Sequence, residues 1–130
     1  MPESTPDLPE SNRLLHNEDV VVQQLTIART MLARMRGLLG RSTLEQHEGL
    51  WITPCTSIHM MFMRFPIDAV FIDRDMHIVR IHERVKPWRF ARGGRHAHSV
   101  LELAAGTAAR KALATGMQLR VDDILGGDHS

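Results

Sequence analysis

Residues 54–75 read PCTSIHMMFMRFPIDAVFIDRD, a lone cysteine, a histidine, an arginine and an aspartate set in an apolar run. From Cys55 an extended chain sorts its side chains by parity. Cys55, Ser57, His59, Met61 and Met63 turn one way, and Ile58, Met60 and Phe62 the other. Pro66 lacks a backbone donor and marks a bend or a strand start. IDAVFID then alternates, with Ile67, Ala69 and Phe71 opposite Asp68, Val70 and Ile72. RDM turns the chain into HIVRIHE (77–83), which completes a hairpin. The stretch is therefore read mainly as core strands, and its polar members His59, Arg64 and Asp68 are the first candidates for a site.

Working outward, VVVQQLTI (20–27) is β-branched and reads as a strand, and GLWIT (49–53) as a short buried one stopped by Pro54. RTMLARMRGLL (29–39) repeats Met31, Leu32, Met35, Leu38 and Leu39 at helical spacing, with Gly40 placed to end the helix. Residues 84–96 have no period and hold Pro87, Gly93 and Gly94, so they read as a long loop, a kind of segment enriched in function. SVLELA (99–104) is a strand, AGTAARKALA (105–114) a short helix ended by Gly116, and MQLRV (117–121) the last strand. Regular strand–helix alternation is absent, which excludes a doubly wound parallel sheet. The expectation is an α+β domain with a curled, barrel-like, mostly antiparallel sheet and two short helices. It spans 19–123, between a disordered acidic leader (1–18) and a frayed tail (124–130).

Composition narrows the classes. The chain has 130 residues, 43% of them hydrophobic, enough for one compact core without a metal or disulfide. Net charge is +1, so bulk charge selects no partner. Locally, however, Arg80, Arg84, Lys86, Arg89, Arg92 and Arg95 face only Glu83 in the stretch 80–96, and arginine suits planar anions. With one cysteine, Cys55, no intrachain disulfide can form. The first residues lack a signal-peptide pattern and no run approaches a membrane span, which makes a cytoplasmic protein the expectation.

Taken in order, R-GLLGR (36–41), EGLWI-PC-SIH (48–59), MRFPIDAVFID (63–73), VLELAAGTA (100–108) and G-QLRV near Gly116 resemble the domain of unknown function 192 family. The resemblance covers about residues 20 to 122. It implies a compact, barrel-like α+β fold and no established activity. Two departures stand out. The hairpin turn, usually Asp-Gly in the family, is Asp75-Met76 here, so it should differ or be strained. The last strand, usually opened by Gly-Asp, begins Gly116-Met117, which removes a carboxylate.

Cys55 and His59 have the residue types of a thiolate–imidazole nucleophile, but four strand residues span ~13 Å, and a free cysteine is commonly a buried one. Among eight histidines only His96 and His98 sit close in sequence, with His59 a third candidate, so no metal or other cofactor is implied. Asp68, on the face of Val70 and Ile72, needs partners: either backbone amides around the Phe65–Pro66 bend, or an Arg64–Asp68–His59 cluster at a pocket mouth. Glu102, between Leu101 and Leu103, poses the same problem unless its strand lies at an edge. Trp88 and Phe90 interleave with the loop arginines, a pattern able to stack bases, but no nucleic-acid motif accompanies it.

These readings favour a non-enzymatic binding module for a small anionic ligand or acidic peptide, with His59, Arg64, Asp68, Trp88 and Arg92 as the binding candidates. A cysteine-dependent enzyme using Cys55 and His59 is the second reading. Nucleic-acid binding through the basic loop 84–95 is the third. No membrane partner is implied, and the sequence leaves the oligomeric state open.

Overall fold

A computed structural model describes residues 12–30, 43–60 and 63–123. Among these residues nine strands and one short helix follow in order: β1 Asn12–His16, β2 Asp19–Ala28, β3 Glu48–Ile52, β4 Ser57–His59, β5 Ile67–Ile72, β6 Ile78–Val85, β7 Phe90–Arg92, β8 Ser99–Ala104, α1 Thr107–Arg110 and β9 Arg120–Asp123. Seven strands make one sheet in the order β6-β5-β8-β3-β2-β1-β9, while β4 and β7 form a separate two-stranded sheet. All strand pairs of the larger sheet are antiparallel except β2 with β3.

The α+β, barrel-like expectation is overturned. The described chain is mostly β and holds one four-residue helix, and the sheet ends at β6 and β9 without closing. Among the described residues the two ends meet without a continuous ladder, through the isolated bridge His77 to Gln118 and neighbouring hydrogen bonds such as the Gly116 amide to the Ile78 carbonyl. The stretch 105–114 is helical only from Thr107 to Arg110. Its left-handed Ala112 (φ 54°) does not fit a continuing helix, although the alanines favour one. The helix read at 29–39 lies almost wholly outside the described residues. So do the leader as far as residue 11 and the tail from 124. Asn12–His16, read as leader, is instead a strand between β2 and β9, and Arg13 and Asp122 form an ion pair across it.

Parity explains the packing. Ile67, Ala69 and Phe71 of β5 join one buried cluster with Leu50 and Ile52 of β3, Ile58 and Met60. Val70 and Ile72 join a second cluster with Leu14, Val22, Leu25, Leu101 and Leu103. Every residue of β5 and of β8 is buried, as central strands covered on both faces require. Glu102 is thereby carried inside. Its strand is central rather than at an edge, its cross-strand neighbours are Leu50 and Ala69, and it is fully buried.

Candidate functional site

The segment read as a formless loop is partly ordered as strand. β6 runs on to Val85, and Phe90–Arg92 pairs with Ser57–His59 in the register Ser57–Arg92, Ile58–Ala91, His59–Phe90. The pleat decides what each face of this small sheet shows. Ile58 and Ala91 turn into the first core cluster, so Ser57, His59, Phe90 and Arg92 are left on the exposed side. Met60 fastens the next turn, since its amide donates to the Arg89 carbonyl (2.7 Å) and its carbonyl accepts from the Trp88 amide (2.8 Å).

The result is an aromatic and cationic surface. Trp88 is 63% exposed and Phe90 56%, although both are large apolar residues. The Arg92 guanidinium lies over the Phe90 ring at 5.5 Å, and the His59 ring centre stands 5.9 Å from that of Phe90. Arg84, Lys86, Arg89 and Arg95 are exposed in the same segment. The Arg92 carbonyl accepts from His82 Nε2 at 2.9 Å, which ties β7 back to β6.

Of the five residues expected to bind a ligand, the structure brings His59, Trp88 and Arg92 together and leaves two apart. Arg64 is exposed and makes no ion pair with Asp68. Asp68 is fully buried, and its carboxylate accepts three backbone amides: Arg84 at 2.8 Å on Oδ1, and Gly106 at 3.0 Å and Ala108 at 2.8 Å on Oδ2. No Arg64–Asp68–His59 cluster forms. Amides do satisfy Asp68, but they come from the end of β6 and the start of α1.

Cys55, half-buried after a cis Thr53–Pro54 bond, donates its thiol to the Ser57 carbonyl at 3.0 Å, while His59 packs on Phe90. One grouping is missed by the sequence reading. Asp73, Asp75 and His77 hold their ligand atoms within 4.8 Å of one another in the β5–β6 turn. Their alternate spacing is the available signal. Asp73 Oδ1 already accepts the amides of Asp75 and His77, which accounts for that acid structurally.

Fold and site thus define a small, mostly β domain with one basic, aromatic face. The chain belongs to the DUF192 family, described as Uncharacterized ACR, whose model matches residues 13–121. It is 33% identical over 90 residues to a UPF0127 protein of Thermococcus sibiricus, a match that covers 64% of this chain and 56% of that relative's length. Two crystal structures share the fold. One, of unknown function, is from Novosphingobium aromaticivorans DSM 12444 (TM-score 0.72, 23% identity, 84% of this chain and 82% of the other). The second, a candidate transcription regulator from Sinorhizobium meliloti 1021, has a TM-score of 0.73 at 24% identity over 88% of this chain and 97% of the other. At these identities the likeness concerns the fold alone. No helix among the described residues is long and apolar enough to cross a membrane.

Proposed function

We propose that this chain is a cytoplasmic binding module whose β4–β7 face takes an acidic peptide. The observation that carries the reading is the Arg92 guanidinium laid over Phe90 beside His59, on a strand pair open to solvent. A cation held on a ring keeps its N–H edge free and loses little further freedom when it meets a carboxylate. Arg89 and Lys86 extend the positive surface along the turn, and Trp88 offers apolar area next to it. An extended acidic segment suits this open face better than a small molecule, which prefers an enclosing pocket.

The nucleic-acid alternative is less well served, because Arg92 and His59 already stand against the Phe90 ring that a base would need. A labelled glutamate-rich peptide, its glutamine counterpart and a single-stranded oligonucleotide, titrated in parallel, test the reading. The glutamate peptide should bind best, and Arg92→Gln should weaken it about tenfold, the effect of removing one charged interaction. Equal binding of the two peptides, or tighter binding of the oligonucleotide, would refute it.

A further inference from the structure

A separate cleft of about 620 Å³ lies where the two ends of the sheet approach, beside the His77–Gln118 bridge. Its walls come from the β1–β2 turn, β3, the β5–β6 turn and β9. We propose that it binds a zwitterion with a planar apolar body, of the chemical class of an aromatic α-amino acid.

The apolar part is set by Trp51, Met76, Leu119 and Val121. Trp51 Nε1 donates to Ser99 Oγ at 2.8 Å, which fixes the indole and satisfies its one polar group. What the half-buried ring then offers the cleft is carbon. The charged part is set by two residues of opposite sign, Arg120 and Asp75. Arg120 is weakly engaged: Nη2 reaches the Asn17 carbonyl at 3.3 Å, and its nearest carboxylate, Glu18 at 3.8 Å, belongs to a side chain 95% exposed. A ligand carboxylate replaces such a partner at little cost.

Asp75 commits its backbone to the turn and the bridge. Its amide donates to Asp73 Oδ1 and its carbonyl accepts from Gln118 Nε2. Its exposed carboxylate is in no ion pair among the described residues and suits an ammonium. A simple anion would meet Asp75, and a simple cation Arg120. A molecule bearing both charges satisfies both. The volume falls in the usual range for small-molecule sites, and polar groups on an apolar lining are the usual composition. The cleft and the β4–β7 face share no residue, so either proposal stands if the other falls.

The chain has two tryptophans, Trp51 and Trp88, so a Trp88→Phe protein reports the cleft by Trp51 fluorescence alone. Titration with L-phenylalanine should give a saturable change. Hydrocinnamate, which lacks the ammonium, and phenethylamine, which lacks the carboxylate, should each bind at least ~10-fold more weakly. Asp75→Asn should erase the preference over hydrocinnamate only, and Arg120→Gln the preference over phenethylamine only. Ratios measured within one variant do not depend on how well it folds. If a variant does not fold, the three ligands on the parent protein decide. No saturable change up to ~10 mM, equal binding of the three, or ratios untouched by the substitutions would overturn the proposal.

Discussion

The carboxylate of Asp68 accepts the amide of Ala108 at 2.8 Å, across 40 residues of sequence and inside the protein. The same oxygen holds Gly106 and the other holds Arg84, so one buried side chain joins the end of β6 to the start of α1. Both places need help. Arg84 has φ 54° and Gly106 φ 96°, so neither amide lies in a regular ladder.

Replacement of Asp68 by Ala strands three donors, the buried Ala108 amide and the part-buried amides of Arg84 and Gly106. The expected loss is roughly 2–4 kcal/mol, since hydrogen bonds to a charged group are worth more than neutral ones and the orphaned amides keep their desolvation cost. Asp68→Asn retains one acceptor but turns an NH2 toward the amides, so it should also destabilise, by less. Denaturant melts at neutral pH check both. A midpoint unchanged by Asp68→Ala would show that this carboxylate does not hold the β6–α1 junction.

Met76 has φ 71°, the left-handed region that an L side chain enters at a cost. Its neighbours in the turn are fixed, since the Met76 amide donates to the Asp73 carbonyl and its own carbonyl accepts from Leu119. Met76→Gly should relieve that strain and raise stability by about 0.5–1 kcal/mol, after allowance for the packing of the methionine side chain. Thermal and denaturant midpoints should both rise. A fall in either would mean that the packing of Met76 against the second core cluster outweighs its backbone.

That turn also shows how much is legible in the sequence. Asp75-Met76 in place of Asp-Gly signals strain, and the positive φ falls on Met76. The strands at Asp19–Ala28, Ile67–Ile72 and Ser99–Ala104 follow from β-branched runs and parity, which local chemistry fixes. Pairing of His59 with Phe90 does not follow, because three-residue strands carry too little pattern to be seen. The burial of Glu102 is hidden for a related reason. Strand order, which puts β8 in the middle of the sheet, is a property of the whole fold and not of SVLELA. The need of Asp68 for amides is visible, but its donors lie 16, 38 and 40 residues away, beyond any local reading.

Cys55 bears on the cysteine-enzyme reading. Its thiol is the donor to the Ser57 carbonyl, a bond that the thiolate cannot make, and it packs against the first core cluster. Alkylation of the native protein should therefore be at least ~10-fold slower than that of the unfolded chain, the behaviour of a structural cysteine. Cys55→Ser, which keeps a donor, should leave binding by the β4–β7 face unchanged. Native alkylation faster than in the unfolded chain would revive a nucleophilic role.

Gly93 follows β7 directly, and its importance is one of space. A Cβ built there would stand 2.4 Å from Cδ1 of Phe71 and 2.5 Å from Cβ of Ala97. Neither neighbour can easily move, because Phe71 is a fully buried ring of the first core cluster and Ala97 is held through its amide to the Gly94 carbonyl. Gly93 itself holds the register, donating to the Thr56 carbonyl at 2.9 Å. Gly93→Ala must therefore push β7 away from the sheet beneath it, at a cost of about 1–3 kcal/mol, as overpacked cores show. The displaced strand carries Phe90 and Arg92, so acidic-peptide binding should weaken together with stability. The added Phe71→Leu change opens room beside the new methyl group and should recover part of both losses. A stability deficit that the second change leaves intact would place the cause in the backbone of Gly93 rather than in crowding against Phe71.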